Sequence, residues 1–153
     1  DDDPSSLLYI YQSGTDLAGD AMSGLIGPLI ITKRGQTRSQ DDPRPADVDR
    51  EIVILAMLID ENASHYIDNN IQEYTAGETA INSNAGFIAS NWMFSLNGQM
   101  YGNLADLNTQ TGLDTRLYFL TLGTSDGSIH AMHVHGQTFE FSDQRADVVE
   151  LTP

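Results

Sequence analysis

Residues 129–141 read Ile129-His130-Ala131-Met132-His133-Val134-His135-Gly136-Gln137-Thr138-Phe139-Glu140-Phe141. Apart from its histidines and from Gln137, Thr138 and Glu140 the stretch is apolar and aromatic, and it predicts a long strand with a bend at Gly136. In a strand, successive side chains point to opposite faces. His133 and His135 then share one side, and His130 takes the other. Two imidazoles at i and i+2 can bind one metal or two adjacent metals, so one strand would serve a separate metal site on each face. Gly136 also admits close approach of another backbone or a ligand. A single half-buried histidine is more often a hydrogen-bonded core group. Three within six residues of an apolar strand are costly to bury without partners, so metal binding is the better reading. Imidazole suits copper, zinc, iron and nickel alike and does not choose among them.

Working outward, the rest of the chain is also strand-like. Leu7–Tyr11, Leu25–Ile31, Leu117–Leu122 and Val148–Leu151 are short apolar runs. Gly27-Pro28 interrupts the second and predicts a bulge or an edge position there. Ile52–Leu58 (IVILAML) is a continuous apolar run, equally consistent with a buried strand or a short buried helix. Trp92, Phe94 and Leu96 alternate ahead of Asn97-Gly98, the dipeptide a tight hairpin turn favours. Asp16–Ser23 predicts one helical turn. Residues 32–49, with Gly35, Pro43 and Pro45, predict a linker or long exposed loop, and Thr75–Ser90 another loop. Short strands punctuated by turns predict an all-β sandwich or barrel.

Composition agrees and removes several functions. The 153 residues are 40% hydrophobic and 19% charged, as in a globular domain. Asp and Glu number 22 against 7 Lys and Arg, a net charge of -15, which argues against nucleic acid or anionic membranes as partners. No run approaches the ~18 apolar residues of a membrane helix, and DDDPSSLLYIY has no features of a secretory leader. The absence of cysteine excludes disulfides and thiolate ligands within these residues. Asn62-Ala63-Ser64 is a glycosylation sequon, a triplet that also arises by chance.

The pattern H-x-x-H-x-H-G followed by Gln137-Thr138-Phe139 resembles the first histidine motif of the final copper-bearing cupredoxin domain in multicopper oxidases. Further stretches resemble the ceruloplasmin, hephaestin and coagulation factor V/VIII lineage in the family's own order. They are Tyr11-Gln12-Ser13-Gly14-Thr15-Asp16 followed by Ser23-Gly24-Leu25-Ile26-Gly27-Pro28-Leu29-Ile30, then Asp60-Glu61-Asn62 with Ser64-His65-Tyr66, then Asn97-Gly98 through Gly102-Asn103-Leu104. The resemblance implies an all-β, cupredoxin-like Greek-key β-sandwich. Residues 1–34 are then the last strands of a copper-free domain, 35–50 a linker, and 51–153 the larger part of a copper-binding domain. It implies that His130 ligates the type 1 (blue) copper, His133 the type 2 copper and His135 a type 3 copper. Types 2 and 3 form the trinuclear cluster that reduces O2 to water. The implied activity is one-electron oxidation of a reducing substrate, preferably Fe(II) and otherwise a phenol, coupled to that reduction. The implied compartment is extracellular or periplasmic.

Departures from the family pattern bound this expectation. A blue copper needs a Cys thiolate beside two histidines, and there is no Cys here. The family's H-C-H-x-x-x-H segment is expected beyond Pro153, which makes residues 1–153 a fragment. Some family domains carry H-S-H where this chain has Gln12-Ser13-Gly14, so residues 1–31 are not expected to bind copper. The remaining ligands are expected from another cupredoxin domain, in the same chain or a neighbouring subunit. His65 stands where the family often has Trp and is expected to be a surface or packing residue. Met22 and Met132 are expected to fill gaps in the core. The acidic residues could guide Fe(II), but no spacing singles any out.

Two other readings remain. The coagulation factors of the same lineage are non-enzymatic binding cofactors. A stand-alone cupin-like metal protein matches the spacing of Gly127, His133, His135 and Glu140, but lacks a later histidine, and Glu140 has the wrong strand parity unless Gly136 marks a bulge.

Overall fold

The computed structural model describes residues 3–123 and 129–152. Nine strands dominate the described residues, with three short α-helices and two 3-10 turns between them. The architecture is all-β, in agreement with the cupredoxin-like sandwich that the resemblance implies.

The organising element is β3 (Arg50–Asp60). It lies between β4 (Trp92–Leu96), which pairs antiparallel, and β5 (Thr115–Leu122), which pairs parallel. A central strand covered on both faces needs apolar residues without alternation. In β3 Ile52, Ile54, Ala56 and Leu58 are buried on one face, and on the other Met57 is buried while Val53 and Leu55 are half-buried. β-Branched Ile and Val suit the pleated surface and decide for a strand over a buried helix. Burying a side chain such as Ile54 stabilises the fold by about 2 kcal/mol.

β1 (Ser6–Gln12) and β2 (Ile26–Thr32) form a separate antiparallel pair. Gly27-Pro28 does not interrupt β2. Pro28 sits opposite Ile10 in a two-stranded ribbon, where a missing N–H is tolerated at the edge. A Cβ at Gly27 would lie 2.4 Å from the Tyr11 hydroxyl, so a larger residue there would push the exposed Tyr11 ring aside. Between the two strands α1 (Leu17–Met22) forms the expected turn, with Asp16 accepting from the Gly19 N–H at 3.0 Å as its N-cap.

The β1–β2 ribbon meets the central sheet through a chain of polar side chains. Arg116 Nη1 donates to the Ser5 and Ser6 hydroxyls, each at 2.6 Å. Tyr118 donates to Glu51 Oε1 at 2.6 Å. The phenolic proton is thereby used, so Ser6 donates to the Tyr118 oxygen, 2.7 Å away. Burial, and then Glu51, push the Tyr118 phenol above its ordinary value. Farther along, the ribbon leaves a cleft of about 410 Å³ against β3, lined by Met22, Ile26, Pro28, Val53, Leu55 and Met57.

Several segments differ from expectation for local reasons. In residues 35–50 Thr37 bridges Pro45, Arg38 donates to the carbonyls of Pro45 and Val48, and Pro45 and Val48 are buried. The expected loop at 75–90 holds α3 (Ala85–Ser90), because Asn84 Oδ1 caps it by accepting from Gly86 N and Phe87 N. Ahead of it α2 (Ile67–Tyr74) was not expected; Ile67, Ile71 and Tyr74 repeat at helical spacing, and only Ile71 is buried. Asn97 and Gly98 do take the left-handed turn, with φ of 50° and 73°. The hairpin ends at a single Leu96–Gln99 bridge, because the Asn97 amide turns to β3, accepting from Leu55 N and donating to Val53 O.

Residues 129–141 are not one strand. β6 (His130–His133) ends in a turn closed by the Gln137 N–H donating to Val134 O at 3.1 Å, with Gly136 at φ 71°. β7 (Phe139–Phe141) then pairs with β8 (Gln144–Ala146) in a small hairpin, and β9 (Val148–Leu151) returns to pair with β6.

Candidate metal centre

The β6–β9 ribbon sorts the three histidines. His130 pairs with Leu151 and Met132 with Val149, so these four share one face. Ala131, Glu150, His133 and Val148 share the other. Val149 is buried and His130 and Met132 are half-buried, while Ala131, His133 and Glu150 are exposed. His130 therefore turns inward and His133 outward.

Inside, the His130 Nε2 atom is buried and has no hydrogen-bond partner among the described residues. Leaving such a group unsatisfied costs about 1–3 kcal/mol. A nitrogen held dry and unpaired is chemically suited to donate its lone pair to a metal. Outside, the His133 and His135 rings stand with centroids 4.8 Å apart, edge to face at 63°. The strand stops at His133, so the turn, rather than strict alternation, brings the two rings together. Gly136 contributes its positive φ and not a close approach, since among the described residues nothing lies within 4 Å of where its Cβ would be. One buried orphan imidazole and one pair of neighbouring imidazoles form a donor set that fits copper, although no thiolate is present to complete a blue site.

The other residues singled out in the sequence fall elsewhere. Gln12 and Gly14 are exposed at the end of β1. Met22 Sδ accepts from Asp60 N at 3.3 Å and lines the cleft, which is a packing role. Glu140 is exposed on β7, opposite Arg145 in a different ribbon from β6. Gly127 lies outside the described residues. The sequon amide of Asn62 donates to Asp60 Oδ1 and Ile88 O, and Ser64 is buried.

His65 is on the surface, as expected, yet it is not isolated. Its Nε2 lies 2.9 Å from Asp20 Oδ1 and 3.5 Å from Asp16 Oδ2. A hydrogen bond from Ser13, and then one from His65, hold the Asp20 carboxyl below its ordinary value. The only local signal for this cluster was the i, i+4 spacing of Asp16 and Asp20. Its third member is 45 residues away.

No protein-family model matches the chain. Curated proteins do match. The chain is 38% identical over 152 residues to ferroxidase HEPHL1 of Mus musculus, and 38% identical over 152 residues to ceruloplasmin of Rattus norvegicus. It is 37% identical over 156 residues to hephaestin of Rattus norvegicus. Each alignment takes in 99% of this chain, which spans only 13%, 14% and 13% of those relatives respectively.

Proposed function

Since this chain belongs to the multicopper oxidases, on the branch of ceruloplasmin and hephaestin, we propose that it supplies copper ligands to an enzyme that oxidises a reducing substrate and reduces O2 to water. The observation that carries the reading is the division across β6. A buried, unpartnered His130 nitrogen lies on one face, and the His133–His135 ring pair gathers from the other. In this reading His130 ligates type 1 copper, His133 type 2 and His135 type 3. Copper held there supplies one-electron redox chemistry and, at a trinuclear cluster, the electrons for O2 reduction.

The chain's own part is positional. Pairing of β6 with β9 fixes the faces that His130 and His133 take, and the turn from Val134 to Gln137 carries His135 with its ring beside that of His133. The dry setting of His130 removes water as a competing partner for Nε2. The backbone from His130 to His133 runs inside one paired strand, a short covalent link between the two sides. The thiolate comes from the family's H-C-H-x-x-x-H segment, and the remaining ligands of the cluster from another cupredoxin domain, in the same chain or a neighbouring subunit. We assign 1–34 to the end of a copper-free domain, 35–50 to a linker and 51–153 to the N-terminal, larger part of a copper-binding domain. Fe(II) is the preferred substrate: the relative HEPHL1 is named a ferroxidase, and a net charge of -15 attracts cations. Phenols are the second class. The compartment is extracellular or periplasmic.

The test uses the copper-loaded full chain, with Fe(II) oxidation and O2 consumption followed together. His130→Ala is expected to lose the blue absorption and substrate oxidation. His133→Ala and His135→Ala are expected to keep the blue absorption and lose O2 consumption. Wild-type rates in all three variants would sink the assignment.

A further inference from the structure

Away from β6, a second group of donor atoms meets at the surface. Asp16 caps α1, Asp20 lies one turn further on, and His65 follows the 3-10 turn Glu61–Ala63. One ligand atom from each residue lies within 4.8 Å of the other two. Asp16 divides its oxygens: Oδ1 accepts from Gly19 N, while Oδ2 faces the imidazole.

Two features point to a cation at this spot. First, carboxylates at i and i+4 of a helix repel one another. A neutral imidazole can offer one N–H to one of them, and Asp20 at 2.9 Å takes it, leaving Asp16 Oδ2 at 3.5 Å. A positive charge between the two would satisfy both. Second, the group converges over a cradle with no side chain. A Cβ at Gly19 would lie 2.3 Å from Asp16 Oδ2 and 2.9 Å from His65 Cε1. Only glycine lets the carboxylate and the ring close in from two segments of the chain. The family often has Trp where this chain has His65.

We propose that Asp16, Asp20 and His65 form a surface site for a divalent first-row transition ion such as Zn(II). Two carboxylate oxygens and one imidazole nitrogen match the donor types that such ions accept, and water fills the remaining positions. Calcium and magnesium prefer all-oxygen sets, so the ring nitrogen selects against them. The ion binds the neutral ring through Nε2, with the ring proton on Nδ1. It ties α1, within the β1–β2 segment, to the connection ahead of α2. The site shares no residue with the β6 histidines and stands or falls independently of the copper assignment.

The test titrates Zn(II) into the full chain, copper-saturated beforehand, by calorimetry, and counts bound zinc after gel filtration. Two variants isolate the site. Asp16→Asn keeps the helix cap, because Asn caps as well as Asp, but removes the anionic ligand. His65→Trp removes the nitrogen ligand with the residue that the family often carries there. The wild type is expected to hold one zinc equivalent more than either variant, with affinity at this site falling at least about tenfold in each. Saturating Zn(II) is expected to raise the Tm of the wild type and not of the variants, as ligand linkage requires. Circular dichroism and copper content should be the same in all three proteins. Equal zinc content in the wild type and the folded variants would overturn the proposal and leave an ion pair. If one variant fails to fold, the other decides.

Discussion

His130 and His65 hold their imidazoles in opposite conditions. The first is half-buried on the inner face of a two-stranded ribbon, and its Nε2 has no hydrogen-bond partner among the described residues. The second is exposed, and its Nε2 already faces two carboxylates. In a metal-free protein the first arrangement costs free energy, while the second is close to neutral because solvent screens it. A site that keeps an unsatisfied donor is arranged for a ligand at the expense of the empty fold. A site built of exposed charges is inexpensive to keep and must recruit its ion by geometry.

The largest effect that would break this contrast is at the copper site itself. His130→Ala is expected to remove type 1 copper stoichiometrically, read as loss of the blue absorption, with bound copper otherwise retained. His65→Trp should leave that spectrum unchanged. Next comes the framework that both sites depend on. Ile54→Ala in β3 is expected to cost about 2–5 kcal/mol in urea unfolding, the range for a core cavity. A loss below 1 kcal/mol would mean that β3 is not the core strand. A smaller effect of opposite sign sharpens the comparison. In the metal-free chain His130→Leu is expected to raise the unfolding free energy by about 1 kcal/mol, because it removes a buried unpaired nitrogen. His65→Leu should not stabilise at all.

The smallest effect is on acid stability. The folded-state carboxyl of Asp20 titrates below its ordinary value of 3.8, so its stabilising contribution is complete above that value. The contribution is lost as pH falls through the lowered value. Acid unfolding followed by circular dichroism should show Asp20→Asn differing from the wild type near neutrality and converging with it in strong acid. A difference that grows below the ordinary carboxylate range would reverse the sign and refute the contact.

How much of this was legible in the sequence differs by region. The run at Leu117–Leu122 and the end strand Val148–Leu151 were visible as strands, because residue type acts locally, whereas Ile52–Leu58 was visible only as a buried apolar run that a strand or a short helix would equally fit. The opposite faces of His130 and His133 were also visible, since strand parity is a property of covalent geometry. The continuous strand expected through Phe141 was not realised: Gly136 adopts φ 71° and the chain turns. Here a weak local signal was outweighed by the pairing of β6 with β9. The helix at Ile67–Tyr74 carried its signal in one buried isoleucine and two flanking apolar residues, too little to stand out.

By itself, then, the sequence determined the strand-rich class, the histidine spacing and the absence of a thiolate, all of which follow from residue chemistry and backbone period. Tertiary structure alone decided the parallel pairing of β3 with β5, the meeting of Ser6 with Tyr118 across 112 residues, and the meeting of His65 with Asp20 across 45. Such meetings depend on which faces bury one another once distant segments close. That choice is made by packing and loop-closure entropy over the whole chain, and no local periodicity encodes it.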